Sequence, residues 1–242
     1  MLSNEQYVCL TCGYNMIGYY PDFCPFCGAP KKRFITADEC SSRFDVVATR
    51  VTDEVAGLNS VPPLGLEHSA YRINTGGKII WIDCPATFAA KAVAPAQILF
   101  THHHFLGAAN LYRDHAGCRT GINRADSGFE LCRGFTFDEL LENPRKIDGI
   151  ESFHIDGHTP GFTVYLFKNI LFLCDYVSLY NDGLKFNPFG PVEETGTGGL
   201  RLYEIIKEHE IGLICGFNYV SALENWLPPF RKLLAGCKRT GR

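Results

Sequence analysis

The chain has 242 residues, 46% hydrophobic and 20% charged, with a net charge of −3, which suits one large globular domain with or without a small appendage. Basic residues are scattered apart from Lys31-Lys32-Arg33, so no electrostatic footprint for nucleic acid is present, and no apolar run approaches the roughly 20 residues that span a bilayer. The N-terminus carries no signal-peptide apolar region, and eleven cysteines in that setting point to reduced thiols and metal ligation in a cytoplasmic protein, not to a disulfide framework.

The first motif is Cys9-Leu10-Thr11-Cys12-Gly13, followed after eleven intervening residues by Cys24-Pro25-Phe26-Cys27-Gly28. Each C-x2-C turn presents two thiolates, and the glycine after each second cysteine relieves a knuckle whose N–H groups point at sulfur. Cys9, Cys12, Cys24 and Cys27 thus converge on a tetrahedral centre that geometry alone leaves open to iron or zinc. About 40 residues cannot bury a self-sufficient core, so the metal supplies much of the folding free energy. Tyr7, Tyr14, Tyr20 and Phe23 are the aromatics available to wrap it. Residues 7–34, with Gly18, Pro21 and the run from Cys24 to Lys31, resemble the short rubredoxin-like domain of rubrerythrins. That resemblance implies Fe(Cys)4 and one-electron transfer. Residues 31–42 are charged and polar with one apolar pair, which divides the chain into a knuckle domain at 1–36, a linker at 37–42 and a second domain at 43–242.

From residue 43 the pattern is strand-rich. Residues 45–52 read as a strand. Residues 69–74 and 78–83 flank Thr75-Gly76-Gly77 as a hairpin. Residues 86–94 suit a short helix before the strand 97–100, and 110–115 continue a helix opened after the histidines. A strand and turn are expected over 121–127, and a short helix over 137–142. Strands follow at 149–154, 162–167 and 170–174, with a Lys168-Asn169 turn between the last two. Residues 200–209 form an amphipathic helix, 211–215 a strand, and 222–235 a final helix interrupted by Pro228-Pro229. Strands and helices alternate with hairpins included, so the fold class is α/β or α+β with mixed sheets.

Strand ends in this domain carry metal-compatible side chains. Thr101-His102-His103-His104 follows an apolar strand whose alternation sends His102 and His104 to one side and His103 to the other. His158 lies in Asp156-Gly157-His158-Thr159-Pro160-Gly161, and Asp175 and Asp83 each end an apolar strand. Strand ends on one edge converge in space. In this combination and order, residues 43–235 resemble the metallo-β-lactamase fold, which implies a four-layer αβ/βα sandwich with the site along facing sheet edges. The family's His-x-His-x-Asp-His motif matches in part at His102 and His104, its Gly-His-Thr-Pro-Gly at His158, and its Gly-Asp strand end at Asp175. Leu106 and Gly107 stand at the family's Asp and His positions, and Phe217 stands where Gly-His is expected. A register that retains Thr-His after the strand is preferred over one that moves His104 to the aspartate position. All three ligands exclusive to the family's second metal are then missing.

One Fe, Zn or Mn ion on His102, His104, His158 and Asp175 is the expected site, with Asp175 also able to position water and Asp83 orienting a ligand from behind. Of the remaining histidines, His68 is the one to watch. The leading expectation is an iron-binding redox metalloprotein in which the knuckle exchanges electrons with this mononuclear centre or with a redox partner protein. A single-metal hydrolase of a thioester, lactone or phosphoester with a structural zinc ribbon is the alternative. A non-catalytic, metal-degenerate scaffold is the third. The small-molecule substrate is not legible.

Overall fold

The structure is a computed structural model that describes residues 5–66, 68–142 and 144–240. The chain divides into two compact units, Met1–Leu141 and Glu142–Arg242.

The N-terminal unit opens with β1 (Gln6–Cys9), β2 (Asn15–Ile17) and β3 (Phe34–Thr36), an antiparallel sheet in the order β2-β1-β3 that frames the cysteine turns. Residues 37–42, expected as a linker, are helical within α1 (Ala37–Arg43). The local chemistry explains this. Thr36 accepts from the Glu39 N–H at 3.1 Å as an N-cap, Asp38 and Glu39 sit in the first turn, and Arg43 pairs with Glu39 at 2.9 Å one turn on. The knuckle is not tethered at a distance. Val8, Ile35, Ala37 and Cys40 share a buried cluster with Leu64 and Ala86, and the Asn15 side-chain amide donates to the Ala86 carbonyl at 2.9 Å.

The same unit carries a seven-stranded sheet. Strands β4 (Asp45–Arg50), β5 (Val55–Val61), β6 (Ala70–Asn74) and β7 (Ile79–Ile82) form an antiparallel meander. β8 (Gln97–Leu99), β9 (Arg119–Asn123) and β10 (Glu139–Leu141) continue it in parallel. The crossover from β8 to β9 is α2 (Ala109–Ala116), which buries Tyr112 edge-on against Trp81 with ring centroids 4.7 Å apart. Two expected helices do not form. Over 86–94 the backbone is claimed by side chains: Asn15 takes the Ala86 carbonyl, while the Tyr112 hydroxyl takes the Ala89 N–H and the Thr87 carbonyl. Over 137–142 the chain instead pairs with β9, Leu140 opposite Ile122, because the sheet edge offers a ladder that an isolated turn cannot match.

The C-terminal unit is a six-stranded sheet of β11 (Arg145–Ile147), β12 (Ile150–His154), β13 (Thr163–Phe167), β14 (Ile170–Cys174), β17 (Leu213–Gly216) and β18 (Val220–Ala222), in that spatial order. β14 and β17 run parallel. A hairpin of β15 (Val177–Tyr180) and β16 (Gly183–Phe186) and the helix α3 (Val192–Glu208) lie between them in sequence. α4 (Leu223–Thr240) closes the unit and runs through Pro228 and Pro229. Leu202 and Ile206 of α3 and Trp226, Phe230 and Leu234 of α4 pack with Leu171, Leu173 and Ile214 of the sheet. α3 begins eight residues before the expected start and runs through Thr195-Gly196-Thr197-Gly198-Gly199. Such a run disfavours a helix intrinsically. It is helical because a Cβ at Gly198 would stand 2.7 Å from the Asp156 carbonyl oxygen, so only a bare turn lets α3 press on that loop.

Candidate metal centres

At the N-terminal knuckle, β1 delivers Cys9 and the turn after it delivers Cys12. Gly13 and Gly28 adopt φ of +83° and +71°, and their N–H groups close each turn onto the Cys9 and Cys24 carbonyls. The Sγ atoms of Cys9 and Cys27 are 3.8 Å apart and those of Cys12 and Cys24 3.7 Å. A disulfide needs about 2.05 Å, whereas a tetrahedron of ~2.3 Å metal–sulfur bonds has edges of about 3.8 Å. The sulfur cage therefore has the dimensions of a metal site. Cys9, Cys12 and Cys24 are buried and Cys27 is half-buried. Hydrogen bonds from the Cys12 and Cys24 thiols hold the Cys9 thiol far down, to about 2. The bonds to Cys24 and Cys9, together with burial, push Cys12 far up. Metal ligation takes cysteine as thiolate, so ion binding at this cluster is coupled to loss of its protons. The donors fit iron and zinc alike.

The histidine turn of the same unit is held by Asp83, which ends β7 at φ +58°. Its carboxylate accepts the Thr101 N–H at 2.8 Å and the Thr101 hydroxyl at 2.8 Å. That hydroxyl lies 3.0 Å from His102 Nδ1. Since its proton goes to Asp83, the oxygen accepts from Nδ1–H, which assigns the tautomer in which Nε2 is the acceptor atom of His102. His102 is buried, His104 half-buried, and their rings are 4.8 Å apart. His103 turns elsewhere. Its Nδ1 is 3.1 Å from Asp126 Oδ2 and its ring stacks on Phe129 at 4.2 Å. A turn, not strand alternation, arranges the three imidazoles, and the His103 ring stands 4.5 Å from that of His104 while its Nδ1 faces Asp126.

Leu106 is buried in the core of this unit, and Gly107 has φ +54° with room for no side chain, since a Cβ would stand 2.8 Å from the Cys84 carbonyl carbon. Neither position can hold a metal. The knuckle meets this turn directly. Phe26, between Cys24 and Cys27, packs on His104 at 5.3 Å and on Phe105 at 5.5 Å. Cys12, Tyr14, Cys84 and His104 line one narrow cleft.

In the C-terminal unit, His158 occupies the loop between β12 and β13. Asp156 enters it at φ +65°, with Arg201 of α3 bonded to the Ile155 carbonyl at 3.1 Å. Asp175 follows β14 after Cys174, itself at φ +48°. Non-glycine residues held in this region at strand ends are a mark of functional loops. His158 Nε2 and Asp175 Oδ2, both buried, are 3.8 Å apart. That separation exceeds a hydrogen bond and falls within the span of two donors ~2.0–2.2 Å from one ion. The Asn187 side chain donates to Asp175 Oδ2 at 2.8 Å and aims the carboxylate. Asn187, Thr101 and the glycine face of α3 were not legible as site residues, because each acts through a partner distant in sequence. Phe217 follows β17 and offers no ligand atom.

No protein-family model matches the chain, and no curated protein matches it. Solved structures do. VMB-1 aligns with a TM-score of 0.63 at 17% identity, covering 82% of this chain and 99% of its own. A metallo-β-lactamase from Pontibacter korlensis aligns at 0.63 and 14%, covering 79% and 99%. The metallo-β-lactamase FIM-1 from Pseudomonas aeruginosa, in its mono-zinc form, aligns at 0.62 and 14%, covering 79% and 96%. These shares exceed what either unit alone could supply. The chain has the metallo-β-lactamase fold, and the four-cysteine knuckle near its N-terminus is a candidate metal site.

Proposed function

We propose that the protein is a redox metalloprotein whose four-cysteine knuckle binds iron and passes single electrons to the mononuclear centre that the sequence resemblance implies for His102, His104, His158 and Asp175. The observation that carries this reading is the ring contact between Phe26 of the knuckle and His104. A purely structural ribbon has no reason to press the loop between its own ligands against a metal-binding histidine. The metals supply the redox chemistry when bound. The chain's residues do the rest. Asp83 and Thr101 fix the His102 tautomer, Asn187 orients Asp175, and Phe26 with Phe105 keeps water from the knuckle side of His104. Asp175 has the placement to position a water or a small ligand. Electrons from outside enter through a partner redox protein at the edge where Cys27 is half-buried.

A single-metal hydrolase is the second reading, favoured by the fold itself, since the aligned neighbours include proteins named as metallo-β-lactamases. There the knuckle is a zinc ribbon and the histidine-site ion lowers the pKa of bound water. Metal analysis and visible spectra after anaerobic purification separate the two. Iron at the knuckle with a charge-transfer spectrum that bleaches on reduction supports electron transfer. Zinc alone at the cysteines overturns it and leaves the hydrolase. A chain that binds no ion beyond the cysteines leaves neither, and makes the second domain a scaffold.

A further inference from the structure

The geometry points to a further cation site in the N-terminal unit, held by His68 and Asp83. His68 lies between β5 and β6 and is only 2% exposed. Its Nε2 has no hydrogen-bond partner among the described residues, yet it faces Asp83 Oδ2 at 3.5 Å. That distance is too long for an N–H···O bond, whose usual length is about 2.9 Å. It matches the edge of a tetrahedron of ~2.1 Å bonds, about 3.4 Å, so the two atoms are spaced as donors to one ion. The cysteine cage obeys the same relation between sulfur spacing and bond length.

The surroundings fit. Asp83 Oδ2 accepts one hydrogen bond from the Thr101 hydroxyl at 2.8 Å, and a carboxylate oxygen accepts about two, so one direction remains for a cation. Phe105 clamps the His68 ring at a centroid distance of 3.8 Å, which fixes where Nε2 points. His68 lines the narrow cleft that also contains Cys12, Tyr14, Cys84 and His104. A buried imidazole nitrogen without a partner is costly, and a bound ion removes that cost. One imidazole and one carboxylate, with water completing the shell, suit zinc, iron or manganese. Through Asp83 and Thr101 this ion stands one hydrogen-bonded bridge from His102. It supplies a second positive charge to a fold whose usual second-ion positions here hold Leu106, Gly107 and Phe217. The inference does not rest on the redox reading.

Zinc binding by the full chain tests it. The protein is equilibrated at buffered free zinc, its ions per chain are counted by elemental analysis, and affinities come from chelator competition. His68→Gln should lose one equivalent, or bind it at least tenfold more weakly, while the ions removed by Cys27→Ser and by His158→Ala stay in place. His68→Glu, which restores a ligand atom, should recover it. If His68→Gln does not fold by circular dichroism, His68→Asn, which leaves the Asp83–Thr101 link intact, is read in the same way. An unchanged ion count and affinity in these variants overturns the site and leaves His68 as an ion-pair partner of Asp83. A wild-type chain with no ion beyond those lost in Cys27→Ser and His158→Ala overturns it as well. Failure of His158→Ala to lose an ion counts against the proposed mononuclear centre and not against this one.

Discussion

Asp83 and Thr101 are joined twice, through the Thr101 backbone N–H and through its hydroxyl, both at 2.8 Å. The pair ties the end of β7 to the start of the histidine turn and sets the orientation of His102. Groups that orient a metal-bound histidine typically contribute ~10–100-fold in affinity. Thr101→Val should therefore weaken the histidine-site ion by roughly tenfold or more, and Thr101→Ser should restore it. Chelator competition measures both. Equal affinity in wild type and Thr101→Val would remove the hydroxyl from the site.

Gly198→Ala sets two effects against each other. In an exposed helix interior the change stabilises by about 0.8–1.0 kcal/mol. Here the new Cβ would stand 2.7 Å from the Asp156 carbonyl oxygen and 2.8 Å from that of Ile155. Overpacking of this kind costs about 1–3 kcal/mol, so the clash wins and the melting temperature should fall. A rise in thermal melts of the variant would mean that α3 does not bear on the Asp156 loop.

Asp138 provides a pH test remote from any metal. Arg113 donates to it at 2.7 Å and the Thr120 N–H at 2.9 Å, and these bonds, Arg113 first, hold its carboxyl down to about 2. The unfolded value is about 3.9. A lowered folded value means that the stabilisation is fully present above about pH 4 and is lost as the pH falls toward 2. Asp138→Asn should be less stable than wild type at neutral pH, and the gap should close over that acid window. Urea melts at several pH values measure it; a gap independent of pH would contradict the assignment.

Chelation of the knuckle metal should reach beyond the knuckle. Val8 and Ile35 share their buried cluster with Leu64 and Ala86, and the fold of so small a module depends on its ion. Cys24→Ser or exhaustive chelation should lower the melting temperature of the whole chain, not only abolish the knuckle spectrum. An unchanged main transition would show that the two parts fold independently.

The four cysteines were legible from spacing alone, because the C-x2-C turn is a local geometry that needs only its own glycine. So were most strands, whose apolar period is written along the chain: β6 with β7, and β13 with β14, stand close to where alternation and turn residues place them. The histidine, aspartate and Gly-His-Thr-Pro-Gly strand ends were visible as motifs for the same reason. What only the tertiary structure decided depends on partners far apart in sequence. Residues 86–94 are not a helix, since Asn15 and Tyr112 claim their backbone, and 192–199 are one, since Gly198 must sit against Asp156. Residues 37–42 coil because Thr36 caps them. His103 presents its Nδ1 to Asp126, and His68 faces Asp83. A sequence read locally carries the donors; which donors face one another is set by long-range packing, whose free energy overrides local propensity of about 1 kcal/mol per residue or less.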